Sequence, residues 1–213
     1  MGGGIVPTVN RNDMDISTGQ LTEMSLFSGY GGFTLALRLA GLNTRTVCYV
    51  EWDRYCQELL QQRFRDDPPT LDPAPIWDDI KSFDGRPWCG TVDILSAGFP
   101  CQPHSNAGLR KLARGLSDDR DLWPDTLRIV GEVGPGLVIL ENVPGILVGG
   151  DGRPPYGGTV VGQLAEVGYN CRWECLSAAD AGAPHLRNRW WLVAYPDADR
   201  RLHRESGVLS AIG

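Results

Sequence analysis

Short apolar runs alternate with amphipathic stretches along the first two thirds of the chain. Leu21 to Phe27, Thr46 to Glu51, Val92 to Ala97 and Leu137 to Glu141 are apolar and too short for helices. Between and beyond them, Phe33 to Ala40, Arg54 to Phe64, Leu122 to Val133 and Val160 to Val167 carry apolar residues at helical spacing. Strands alternating with helices predict an α/β fold with a doubly wound, mostly parallel, Rossmann-like sheet. The last third breaks that rhythm. Asn170 to Ser177 and Arg189 to Tyr195 read as two strands with no helix between them, an antiparallel hairpin closing one edge. Residues 1–20, rich in Gly, Asn and Asp without a pattern, are expected to be a flexible tail before a single domain at 21–195. Residues 196–213 are then a C-terminal tail or the start of a further domain. The Pro/Gly stretches at 66–75 and 149–158 read as loops.

Composition narrows the class. With 42% hydrophobic and 22% charged positions the chain is ordinary for a soluble globular protein, and no apolar run approaches the ~20 residues of a membrane span. The first residues lack the charged and apolar regions of a signal peptide, so a cytoplasmic, reducing setting is expected, with the six cysteines as thiols. No Cys-x-x-Cys pair and no histidine cluster occurs, and no metal is expected. The net charge of −6 is unfavourable for phosphate contacts. Its distribution tempers this, because Arg outnumbers Lys eighteen to two and clusters at Arg110, Arg114 and Arg120 and at Arg187 and Arg189. A third cluster at Arg200, Arg201 and Arg204 reads as solvated surface.

The candidate chemistry sits where open α/β sheets place it, at the carboxyl ends of strands. Cys101 follows the apolar run from Val92 through Phe99 and is flanked by Pro100 and by Gln102-Pro103. The two prolines stop the strand and present the thiol on a stiff loop. A free cysteine is more often a small buried hydrophobe, so residue type alone decides nothing. The turn Phe27-Ser28-Gly29-Tyr30-Gly31-Gly32 lets a ligand approach the backbone closely, although tight strand-to-helix turns need glycine for steric reasons as well. Glu51, twenty-two residues after Gly29, stands where an acid accepts ribose hydroxyls in nucleoside-binding folds. Trp52 beside it could lie against an adenine ring or belong to the core. Asp79-Ile80 would extend the pocket, the aspartate toward the adenine amino group or simply as a helix-initiating acid. Glu141, in Glu141-Asn142-Val143-Pro144, ends a very apolar strand, where partial desolvation suits a carboxyl group to holding or donating a proton, unless it only caps a helix. Thiol and carboxyl together fit addition to an electron-poor ring with a protonation step.

Those motifs, with Gly98-Phe99-Pro100-Cys101-Gln102 and Arg187-x-Arg189, occur in the order and spacing of the DNA cytosine-5 methyltransferases, which residues 21–195 resemble. The resemblance implies that S-adenosylmethionine is held by Phe27, Ser28, Gly29, Gly31, Gly32, Glu51, Trp52, Asp79, Ile80, Pro100 and Leu122, leaving as S-adenosylhomocysteine. It implies catalysis by Cys101 attacking carbon 6 of cytosine, Glu141 at ring nitrogen 3 and the exocyclic amine, Arg187 at the base carbonyl, and Arg189 supporting the Cys101 loop. Phe99, Gln102, Ser105, Asn142 and Val143 would meet a cytosine flipped out of double-stranded DNA.

Some features depart from the family pattern. His185 stands where relatives often have glutamine, and Asp118 to Leu122 is a shortened form of a cofactor-ordering segment. No Gly-Asn pair occurs, and the chain runs only eighteen residues past the hairpin, where relatives continue into a target-recognition domain. Three readings therefore stay open: the catalytic part of a split enzyme with a separate recognition subunit, a truncated enzyme, or an inactive cofactor- or partner-binding remnant. An RNA cytosine-5 methyltransferase is a further alternative. A dinucleotide-binding oxidoreductase would leave the cysteine and Glu-Asn-Val motifs without a role. A missing final helix would bare an apolar strip, so the isolated chain is expected to associate.

Overall fold

The computed structural model describes residues 19–100, 121–149 and 154–197. In chain order these form β1 (Leu21–Leu26), α1 (Gly32–Leu39), β2 (Thr44–Val50), α2 (Arg54–Phe64), β3 (Ile76–Trp77), β4 (Ile94–Ala97), α3 (Trp123–Val133), β5 (Leu137–Asn142), α4 (Tyr156–Glu166), β6 (Tyr169–Ser177) and β7 (Asn188–Pro196). They build a seven-stranded sheet ordered β3-β2-β1-β4-β5-β7-β6. The first five strands in the chain run parallel, and β7 is antiparallel to both β5 and β6. The mostly parallel sheet with an antiparallel edge is the architecture the hydrophobic pattern predicts. The strand order reverses between β1 and β4, which opens a crevice at their carboxyl ends.

Local chemistry explains the helix boundaries. Asp53 caps α2, its Oδ1 accepting from Cys56 N–H at 3.0 Å. α3 begins with Pro124 in its first turn and ends at Gly134, whose φ of 62° is the left-handed stop that glycine favours. α4 starts at Tyr156, four residues before the expected Val160. The Gly157-Gly158 pair made that turn resemble a loop. Gly157 is instead there for packing, since a Cβ on it would lie 3.1 Å from Leu147 Cδ2 and 3.3 Å from the Ile146 carbonyl oxygen. The two-residue β3 was not among the strands read from the hydrophobic pattern, and the remaining differences are of one or two residues at strand and helix ends.

The main core lies between the sheet and the pair α3 and α4: Leu95, Ala97, Val138, Leu140, Trp190, Leu192 and Ala194 pack with Ile129, Val130, Val133, Val160 and Leu164. A second cluster, Tyr49, Leu60 and Leu71, lies under α2. Glu23, an acid in the middle of β1, has no exposed surface. Its Oε2 accepts from Thr34 and Thr46 at 2.8 and 2.7 Å and its Oε1 from Ser96 at 2.7 Å. The acid thereby ties β1, α1, β2 and β4 together, the hydrogen bonds offsetting its burial.

Candidate active site

The turn after β1 is fastened from several sides. Ser28 Oγ donates to the Ser25 carbonyl at 2.8 Å, Ser28 N–H donates to the Val50 carbonyl at 3.1 Å, and Gly31 N–H to the Ser28 carbonyl at 2.8 Å. Phe27 sits at φ 52°, left-handed backbone that a side chain rarely adopts and that marks a constrained site. Gly31, at φ 82°, leads into α1; a Cβ there would collide with Leu71 Cδ1. Gly29, at φ 54°, faces open space, with nothing within 4 Å of where its Cβ would be.

Glu51, just past β2, spans this turn and the start of α2. Its Oε2 accepts from Gly29 N–H at 2.6 Å and its Oε1 from Asp53 N–H at 2.8 Å. Each oxygen keeps a further lone pair for a ligand hydroxyl. Trp52 beside it is 74% exposed, so the core reading of this residue does not hold. Asp79 is partly buried, its Oδ1 accepting from Lys81 N–H at 2.9 Å, and Ile80 is buried in the core. Leu122 caps α3 and is partly buried.

The second half of the site is built by the ends of β4 and β5. Phe99 is buried against Trp123, ring centroids 5.2 Å apart. Asn142 is buried; its Nδ2 donates to the Phe99 carbonyl at 3.1 Å and its Oδ1 accepts from Val143 N–H at 2.8 Å. This side chain therefore pins the Phe99-Pro100 strand end to the Glu141-Asn142-Val143 strand end. A Cβ on Gly98 would lie 3.4 Å from Glu141 Oε2, so the carboxylate stands against the backbone three residues before Cys101. Arg189 Nε lies 2.5 Å from Glu141 Oε1, both side chains about a quarter exposed at 22% and 25%. The antiparallel register sets Glu141 opposite Trp191, which brings Arg189 to it. That partnership was not visible in sequence. Arg187 is exposed at φ 22°, with no ion pair among the described residues, and His185 is exposed.

Cys101, Gln102, Ser105, Arg110, Arg114, Arg120 and the Asp118 to Arg120 segment lie outside the described residues, as do Arg200, Arg201 and Arg204. The five described cysteines are free, and burial pushes the thiols of Cys48 and Cys171 up to about 11, so neither is an activated nucleophile near neutral pH. Among the described residues no group of three or more His, Cys, Asp or Glu is arranged to hold a metal ion. No helix among them is long and apolar enough to cross a membrane.

The profile of the family described as C-5 cytosine-specific DNA methylase matches residues 21–206. The chain belongs to that family. It is 34% identical over 180 residues to the type II methyltransferase M.NgoMIV of Neisseria gonorrhoeae, covering 82% of this chain and 52% of the relative. It is 33% identical over 189 residues to the type II methyltransferase M.HhaI of Haemophilus parahaemolyticus, covering 85% and 52%. Among solved structures, Dnmt2 methyltransferase of S. pombe superposes with a TM-score of 0.64 at 20% identity, over 84% of this chain and 50% of that one. A DNA modification methyltransferase encoded within an Escherichia coli prophage gives 0.62 at 25% identity, over 83% and 47%. The chain thus spans about half the length of the curated relatives it matches.

Proposed function

We propose that this chain carries the catalytic centre that transfers a methyl group from S-adenosylmethionine to carbon 5 of a cytosine flipped out of double-stranded DNA, as the catalytic part of a split or truncated enzyme. The observation that carries the reading is the Asn142 bridge, which holds the strand end leading to Cys101 beside the strand end bearing Glu141. A nucleoside cofactor fits the other half of the site. Open space over Gly29, a Glu51 carboxylate with lone pairs to spare and an exposed Trp52 indole face together suit an adenosine. Phe27, Ser28, Gly29, Gly31, Gly32, Glu51, Trp52, Asp79, Ile80, Pro100 and Leu122 would hold it, and when bound it supplies an electrophilic methyl group.

Carbon 5 of cytosine is a poor nucleophile. Attack of the Cys101 thiolate on carbon 6 forms a carbon–sulfur bond and pushes the ring electrons onto carbon 5, which can then take the methyl group. Glu141 lowers the energy of that enamine by hydrogen bonding at ring nitrogen 3 and the exocyclic amine, and Arg189 orients Glu141. Arg187 meets the base carbonyl. Phe99, Gln102, Ser105, Asn142 and Val143 line the base pocket. Loss of the carbon 5 proton and expulsion of the sulfur restore the ring and the thiolate. Target reading would come from a separate recognition subunit.

The test is nucleoside mass spectrometry on DNA from cells expressing the chain beside a Cys101→Ser variant, with cofactor affinity measured by calorimetry. We expect 5-methylcytosine only when Cys101 is present, and Glu51→Ala to weaken cofactor binding by about tenfold or more, consistent with hydrogen bonds to a charged group. Cofactor binding without any 5-methylcytosine, even with the neighbouring reading frame co-expressed to supply a recognition subunit, would replace this reading with that of an inactive remnant. 5-Methylcytosine in RNA alone would move the substrate class.

A further inference from the structure

β6 is nine residues long and ends the sheet, so among the described residues nothing pairs with its outer edge. Its pairing with β7 determines which backbone groups face outward. Asp197 N–H donates to the Gly168 carbonyl at 2.9 Å, Ala178 N–H to the Arg187 carbonyl at 3.3 Å, and the register between them is unbroken. In an antiparallel ladder, pairs that exchange both bonds alternate with pairs that exchange none. By that alternation Asn170, Arg172, Glu174 and Leu176 direct N–H and C=O toward β7, while Cys171, Trp173 and Cys175 direct theirs outward. Ser177 N–H is already taken by Asp180 Oδ2 at 2.8 Å, which closes the free edge at Cys175.

The exposed stretch Cys171-Arg172-Trp173-Glu174-Cys175 is chemically self-complementary under a two-fold axis. With a second copy laid antiparallel so that the two Trp173 residues face each other, Cys171 meets Cys175 of the second copy. Arg172 then meets Glu174 of the second copy, twice by symmetry. Outward-directed groups meet outward-directed groups, and opposite charges sit directly across from one another. Sliding the copies by one residue sets outward groups against inward ones. Sliding by two in either direction sets Glu174 against Glu174 or Arg172 against Arg172. Only the Trp173-centred register satisfies backbone and charge together. Arg172 and Glu174 have no ion pair among the described residues, Trp173 is 50% exposed, and the stretch has no proline to block pairing.

We propose that β6 is a homodimerisation edge, pairing with β6 of a second copy in the register centred on Trp173 to make one continuous sheet. This is independent of the catalytic reading, because antiparallel pairing points the carboxyl ends of the two sheets, and both candidate sites, in opposite directions. The test is sedimentation velocity of the full chain across a concentration series. The wild type is expected to dimerise. Arg172→Glu and Glu174→Arg each set like charges opposite at both symmetric positions and should weaken dimerisation by about tenfold or more. The double variant Arg172→Glu/Glu174→Arg restores opposite pairing and should restore the dimer, which also shows that the single variants did not fail by misfolding. A monomeric wild type, association indifferent to the single variants, or a double variant no better than the singles would each overturn the proposal.

Discussion

On one face of β5 and β7, Val138, Leu140, Trp190, Leu192 and Ala194 have no exposed surface, whereas on the other face of β7 Val193 and Tyr195 each keep 38% of theirs. The first face lies under α3 and α4. On the opposite face α1 covers β1 and β2, and its Phe33 reaches the antiparallel half, where the ring meets Trp191 at 5.8 Å between centroids. Leu137 and Ile139 remain half-buried there, in a strand apolar throughout. Parallel strands apolar on both sides normally carry helices on both faces. Among the described residues β5 is therefore written for two covered faces and has one. Glu141 lies on the open face and Asn142 on the covered one, so the site's two adjacent polar residues belong to differently finished halves of the molecule.

The sharpest way to break this comparison is to truncate one residue on each face. Leu140→Ala should cost about 3 kcal/mol, because it leaves a cavity in a closed core, and Ile139→Ala about 1 kcal/mol, because solvent already reaches that side chain. Urea unfolding of the two variants measures the gap. Equal losses would mean that the open face is covered in solution. Loss of the gap only when a recognition subunit is added would identify that subunit as the cover.

How much of this was legible in sequence depends on whether the determinant is local. The six longer strands, the glycine turn and the separation of Glu51 from Gly29 follow from neighbouring residues and could be read from hydrophobic period and turn chemistry. The Arg189–Glu141 pair could not, since it depends on the register of β7 against β5, and registers are set by distant contacts. Glu23 is a single acid inside a short strand, and nothing in its neighbours marks it out. Its three hydroxyl donors come from α1, β2 and β4, which no local pattern brings together. Gly157 was misread for a related reason, as its need for a small residue arises from Ile146 and Leu147.

A smaller effect is expected at the bridge between the two strand ends. Asn142→Ala leaves the Phe99 carbonyl and Val143 N–H without their side-chain partner, at a cost of about 1–2 kcal/mol for buried groups. A lowered urea midpoint with unchanged slope would report it. Asn142→Asp keeps the acceptor for Val143 but sets an acid oxygen near the Phe99 carbonyl, so it should lose at least as much. If Asn142→Ala were neutral, the bridge would not be what holds the two strand ends together.

The smallest effect belongs to the open face. Glu141 and Arg189 are in contact but each is about a quarter exposed, so solvent screens the pair. A double-mutant cycle with Glu141→Gln and Arg189→Ala, read by urea unfolding, should give a coupling of about 1 kcal/mol or less. The same cycle repeated with a recognition subunit bound should give a larger value if that partner seals the face, because attraction between charges rises as water is excluded. Coupling of about 3 kcal/mol in the chain alone would place the pair in a dry environment. That result would mean the face counted here as open is already closed, by a second copy or by residues beyond those described, and the contrast between the two faces would have to be abandoned.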